Sequence, residues 1–268
     1  MVLFLFLSHL GLGIVFTLVF VSREAGVKFF RFNAGLAAIL IAVAFAFRPP
    51  DAVGAAMAGR VAFLALAVAE AAVVLYWATV GRVLASIRPA VVVTAVAAGL
   101  VAIVAQAIAA VPGGPALLQA MTIASFLTSA ALLGGTCTAM ILGHWYLILP
   151  SMQGSHLQSI VMLHIVSLVM RVALVAAAVA LALETTWLGP RGLGPSFHHY
   201  IMSVAGIFFW QRVLFGLAGP AVLSYLTWET AKIRSTQSAT GILYVDFFTV
   251  VVGEVLAKYI LLAMRVPV

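Results

Sequence analysis

Nine ionisable side chains lie inside stretches of this sequence that are otherwise as apolar as lipid: His9, Glu70, His144, His164, Arg171, Arg212, Asp246, Glu254 and Lys258. Arg60 stands near the end of one such stretch, and the pair His198-His199 opens another. An ionisable group in hydrocarbon is costly to insert, so each position calls for a chemical reason. Carboxylates and imidazoles hold and pass protons. Imidazole nitrogen ligates haem iron, and Arg, His or Tyr donates hydrogen bonds to a carbonyl oxygen. Spacing adds one definite pair, because Glu254 and Lys258 are four apart and share a helix face. Arg171 and Arg212 then become candidates to neutralise Glu70 or Glu254 from other helices. The stretch from Gly134 to Met152, GGTCTAMILGHWYLILPSM, sets His144 beside Trp145 and Tyr146. Those amphipathic rings suit a membrane–water interface. Every one of these residues also has a purely structural reading, as a pin between helices.

The elements that must position them are membrane-spanning helices. Of 268 residues, 65% are hydrophobic and 8% charged. No soluble domain of this size needs so much apolar surface. Runs of roughly 20 apolar residues cross a bilayer as helices, since backbone polar groups in lipid must pair within their own segment. The sequence predicts one all-α transmembrane domain of eight spans over residues 1–268: about 2–21, 33–47, 57–80, 88–111, 116–149, 157–184, 198–227 and 239–264. The first segment lacks a basic leading region and a small-residue cleavage site, and is expected to be a span rather than a signal peptide. Gly134-Gly135 and Gly219-Pro220 are expected bends. The segment SREAGVKFFRFN, residues 22–33, is expected at the membrane surface. Basic residues orient the chain. With the termini outside, Arg23, Lys28, Arg31, Arg82, Arg88, Lys232 and Arg234 face the cytoplasm, against Arg48, Arg60, Arg191 and Arg265 on the other side, which favours both termini outside. The single Cys137 excludes an intrachain disulfide and a multi-cysteine metal site. The net charge of +7 sits at span ends and is no nucleic-acid signature.

This topology sorts the polar groups by depth. His9, Arg60 and His198-His199 lie toward the outer side, His144, His164 and Asp246 toward the cytoplasm, and Glu70, Arg171, Arg212 and Glu254 near the midplane. Three chemistries fit. A di-haem cytochrome b would use His144 with His164 on one haem, and His9 with His198 or His199 on the other. A quinone-binding membrane subunit would need an apolar slot, donors to the carbonyl oxygens and a proton route. A copper or small-solute permease would draw on the nine Met and six His. The Met residues are scattered, however, and no inverted repeat with paired broken helices is evident. No phosphate loop, nucleophile elbow or zinc-protease pattern occurs, so no catalytic residue is assigned.

Three further stretches, SFLTSAALLGGTCTAMILGHWYL, WQRVLFGLAGP and VVVGEVLAKYILLAM, carry a distant resemblance to a known family. With the eight-span plan and the chain length, they resemble the membrane-anchor subunits of dimethyl-sulfoxide reductase and polysulfide reductase. The last stretch is the most suggestive, with Glu254 after Gly253 and Lys258 four residues on. The resemblance implies a haem-free, multi-pass subunit of a respiratory complex in the bacterial inner membrane. It would exchange electrons between menaquinone or ubiquinone and an iron–sulfur or c-type cytochrome partner on the outer face. It also implies that His9, a first-span histidine near the outer side, helps bind the quinone, with Arg60 and Glu70 as neighbours. On depth and residue type, Glu70, with help from Glu254, would carry protons, Asp246 is a further proton-transfer or buried-charge position, and Arg171 and Arg212 would hold the buried carboxylates ionised or tune them. The sequence departs from the family in GHWYL and in placing His144 and His164 on the cytoplasmic side, which leaves room for haem b or a second, inner site.

Overall fold

The computed structural model describes residues 1–49, 57–82, 85–148, 154–184, 194–233 and 235–268. Arg191 and Arg234, two of the residues used to orient the chain, lie outside them. Among the described residues all regular structure is helical. The helices are α1 (Val2–Leu18), α2 (Gly26–Ala46), α3 (Met57–Thr79), α4 (Arg88–Ala110), α5 (Ala116–Ile148), α6 (Gly154–Leu183), α7 (Gly194–Met202), α8 (Ile207–Val213), α9 (Gly219–Lys232) and α10 (Thr236–Met264). A 3₁₀ turn, Val204–Gly206, leads into α8, and a π turn, Leu214–Ala218, joins α8 to α9. Seven helical segments among the described residues are long and apolar enough to cross a bilayer, the last two being Val204–Lys232 and Thr236–Met264. Val2–Leu18 is apolar but shorter, at 17 residues. The chain is a multi-pass helical membrane protein.

Two groups of helices make up the bundle. In one, α1 packs on α2 and α3 on α4; in the other, α5, α6, α9 and α10 pack together, and α1 against α5 joins the two. The joint is a crossing of small residues. A Cβ on Gly13 would collide with the Ala130 carbonyl oxygen, and one on Gly134 with the backbone of Gly13. Without glycine at both places the two backbones could not touch. Gly134 is therefore a packing position, and α5 runs through Gly134-Gly135 as unbroken helix rather than bending there.

Three contacts gather one end of the bundle. Trp145 Nε1 donates to the Ala25 carbonyl at 3.1 Å, His156 Nε2 lies 2.7 Å from Glu24 Oε2, and Gln158 Nε2 donates to the Ala231 carbonyl at 3.3 Å. This is the Ala25 end; the opposite end carries Met264.

Two expected elements differ. Residues 22–33 do not lie along the surface, because α2 begins at Gly26. Phe29, Asn33, Ala37, Ile41 and Ala44 form one buried stripe along it, and Phe29 meets the Trp145 ring edge-on at 5.7 Å. Burial of that stripe outweighs the interfacial look of Lys28, Arg31 and Phe32 on its other faces. The seventh segment is not one helix over 198–227 either. His198 and His199 stand on the separate helix α7, and the irregularity near Gly219-Pro220 is the π turn just before them. Pro220 has no N–H for the Gly216 carbonyl, so regular α pairing fails there.

Candidate functional site

Four helices carry polar residues in register along the faces they turn toward one another. On α5 these are Ser125, Ser129 and Thr136; on α6, His164, Ser167 and Arg171; on α10, Asp246, Glu254 and Lys258. The spacings of three, four, seven or eight keep each set on one face. Arg212 before the π turn and Ser224 after it complete the ring, and all of these side chains are buried. They form two clusters.

The cluster toward the Met264 end is built around Glu254. Arg171 grips it from α6 through both carboxylate oxygens, Nε to Oε1 at 3.0 Å and Nη2 to Oε2 at 3.1 Å. This two-point geometry is the strongest a guanidinium offers. Arg212 Nη2 donates to the same Oε1 at 3.0 Å, and Lys258 Nζ lies 3.5 Å from Oε2. Lys258 Nζ makes its shorter contact, 2.6 Å, to Ser129 Oγ. Arg171 is further held by the Ser125 hydroxyl at 2.6 Å and the Val268 main-chain oxygen at 3.3 Å. Three basic groups thus surround one carboxylate, and none is more than 2% exposed. The Nε and Nη1 of Arg212 have no hydrogen-bond partner among the described residues. A Cβ on Gly253 would run into Gly216 and come within 3.1 Å of Arg212 Nη1. The glycine pair therefore makes room for this guanidinium.

His9 extends the cluster. Its Nε2 lies 3.1 Å from Gln106 Oε1 on α4, so that nitrogen carries the proton it donates. Its ring meets Phe126 edge-on at 4.6 Å, and Lys258 Nζ lies 5.8 Å from the centre of the same phenyl ring.

The second cluster lies toward the Ala25 end and joins four helices at His164. Its Nδ1 is 2.9 Å from Thr136 Oγ1 on α5. Its Nε2 is 2.8 Å from Ser224 Oγ on α9 and 2.8 Å from Asp246 Oδ2 on α10. The Asp246 contact has ion-pair distance without hydrogen-bond alignment, and neither carboxylate oxygen has an aligned partner among the described residues. Both side chains are fully buried.

The expected groupings fare unevenly. Glu254 pairs with Lys258, and it is Glu254, not Glu70, that Arg171 and Arg212 neutralise. His9, Arg60 and Glu70 are not brought together. His9 is enclosed against Gln106 and Phe126, Arg60 is exposed, and Glu70 is half-buried on α3 with Oε2 lacking a hydrogen-bond partner among the described residues. His144 is exposed. It stands eight residues beyond Thr136 on α5, or about 12 Å along the helix axis, while His164 has oxygen neighbours at both ring nitrogens. That geometry does not fit one haem held between His144 and His164. His198 and His199 are likewise exposed, and His9 is fully buried. Among the described residues no three His, Cys, Asp or Glu side chains group as a metal site. The serines and threonines that complete both clusters are not among the residues singled out from the sequence; the four- and seven-residue steps Ser125, Ser129 and Thr136 along α5 are a sequence signal for three of them.

A groove of about 390 Å³ opens between α1, α4, α5 and α6, lined by Phe16, Val96, Leu127, Met170 and other apolar residues together with Thr128 and Ser167. Ser167 is three residues from His164 and four from Arg171, so it stands on α6 between the two clusters. No protein-family model, curated protein or solved structure matches the chain.

Proposed function

We propose that the chain is the quinone-interacting membrane subunit of a respiratory electron-transfer complex. In this reading α1 counts as the eighth span, the Met264 end is the outer face, and both termini are outside a bacterial inner membrane. One observation carries it: a groove whose apolar lining is broken by two hydroxyls lies level with a gap between two buried ionisable clusters. A quinone takes up two electrons and two protons to become a quinol. Its ring and isoprenoid chain need an apolar slot. Thr128 and Ser167, whose hydroxyls bond the Ala124 and Leu163 carbonyls of their own helices, turn to donate to its carbonyl oxygens when it binds, and His164 and Arg171 stand about a helix turn from Ser167 on either side. The electrons pass to or from an iron–sulfur or c-type cytochrome partner at the outer face. His9, with Gln106, holds the outer cluster in place, and Arg60 and Glu70 take no part in headgroup binding. The fixed positive groups Arg171 and Arg212 favour electron density arriving on the headgroup.

The test is to fill the groove. Ser167→Leu and Thr128→Leu in the purified complex are expected to lower extractable quinone and quinol-linked turnover by about tenfold or more, with assembly retained. Wild-type turnover in both variants would sink the assignment. A reduced-minus-oxidised spectrum of the subunit stripped of partners is expected to show no b-type haem band. A band lost on His144→Ala would replace the quinone reading with a cytochrome b.

A further inference from the structure

We infer that His164 and Asp246 form a proton-binding site that stores one shared proton in the half of the bundle toward the Ala25 end. The argument counts hydrogens. The Thr136 hydroxyl donates its only proton to the Leu132 carbonyl at 2.7 Å. Its oxygen can then only accept from the His164 nitrogen 2.9 Å away, which puts a proton on Nδ1. A neutral ring protonated on Nδ1 has a bare lone pair on Nε2. That lone pair faces the Ser224 hydroxyl, which can donate, and Asp246 Oδ2, which cannot when ionised, each at 2.8 Å. Ser224 can satisfy that lone pair, but an ionised Asp246 beside a neutral ring is left as an uncompensated charge in a dry interior, with neither oxygen holding an aligned partner among the described residues.

One added proton removes that penalty. On Nε2 it makes an imidazolium beside a carboxylate; on Asp246 it makes a carboxylic acid donating to a neutral ring. The pair is neutral either way. Releasing the proton leaves one net negative charge, and taking it up restores neutrality. The groups facing the pair are Thr136 from α5, Ser224 from α9 and, a turn or two along α6 and α10, Arg171 and Glu254. Cys137 is buried next to Thr136 in the chain, while His144 is exposed and a distance along α5. The basic groups around Glu254 lie on the side where they ease the negative state. His164 is ten residues into α6 from Gly154, and Asp246 ten into α10 from Thr236, which places both about 15 Å along their helices from the Ala25 end. That the stored proton goes to a bound headgroup rests on the quinone reading; the proton count does not.

The test is nitrogen-15 spectroscopy of the full chain in lipid nanodiscs, with its histidines labelled and no quinone or partner added. His164→Gln assigns the resonances. Infrared spectra with and without Asp246→Asn report the carboxyl. The expected result is a proton on Nδ1 together with a second one, seen either on Nε2 or as a protonated Asp246. Asp246→Asn should leave the ring neutral, with its proton still on Nδ1. A ring protonated only on Nε2, or only on Nδ1 beside an ionised Asp246, would overturn the inference, because either holds no shared proton. The wild-type spectra decide the matter even if the variants fold poorly. Loss of turnover in the groove variants with the wild-type proton pattern intact would separate this site from the quinone reading.

Discussion

Glu254 and Asp246 are two carboxylates on one helix, eight residues and about 12 Å apart, in equally dry surroundings. Glu254 is met by two guanidiniums and an ammonium; Asp246 is met by one imidazole. Guanidinium does not give up its proton in a protein, whereas imidazole changes charge within the physiological range. The two guanidiniums of the first cluster are therefore fixed charges, and the second cluster is the exchangeable one in the inference above. At an effective dielectric constant near 20, two unit charges 12 Å apart interact by about 1.4 kcal/mol. That is enough for the fixed cluster to bias the proton store, and too little to empty it outright.

The comparison breaks most visibly at Glu254. Glu254→Gln leaves Arg171, Arg212 and Lys258 buried without their counter-ion, and should cost about 3–5 kcal/mol, read as a lowered unfolding midpoint in detergent or as loss of folded protein. A cost under about 1 kcal/mol would mean the cluster relaxes into another neutralised arrangement. Gly253→Ala tests the same cluster through its packing. The added methyl meets Gly216 and crowds Arg212, and about 1–3 kcal/mol of destabilisation is expected in the same assay. Asp246→Asn should be the contrast. The amide is isosteric and can donate to His164 Nε2, so stability should change by less than about 1 kcal/mol; a loss as large as at Glu254 would make Asp246 a structural ion rather than an exchangeable one. The smallest effect belongs to the half-exposed pair of Lys232 and Glu229, 2.8 Å apart. Lys232→Ala should shift stability by a few tenths of a kcal/mol, diminishing with added salt.

How far the sequence disclosed this depended on whether partners shared a helix. Glu254 and Lys258 were readable because four residues bring them onto one face. The all-helical architecture was readable because apolar runs of that length have one stable form in lipid. Arg171 was readable as a partner for some buried carboxylate. Choosing Glu254 over Glu70 required knowing which faces α3 and α10 turn inward, and helices apolar on every side carry little periodicity to say so. The same gap explains the grouping of His9, Arg60 and Glu70, which used depth without direction around the axis. His164 and Asp246 each stand out as ionisable groups in apolar runs, but nothing in their separate segments joins them. The hydroxyls of Thr136, Ser224 and Ser129 do not stand out in the sequence, because Ser and Thr are unremarkable in apolar helices until a polar group on a neighbouring helix faces them.

The turn at Leu214–Ala218 has a consequence for register. Arg212 and Ser224 are twelve residues apart, and at about 100° per residue an unbroken α-helix would leave them roughly 120° out of phase. The wide turn absorbs about one residue, which reduces the mismatch to roughly 20° and lets one segment serve both clusters. The segment thus works like a vernier, holding two positions in phase across an interval that the ordinary pitch would not bridge. Apart from Gly216, where a side chain would strike Arg212 and Gly253, substitutions there should be tolerated far better than an insertion. Inserting one residue between Leu214 and Ala218 would add about 100° and swing either Arg212 or Ser224 away from the core, uncoupling the two halves without altering any side chain that belongs to them, whereas deleting one would regularise the helix and keep the two about 20° apart.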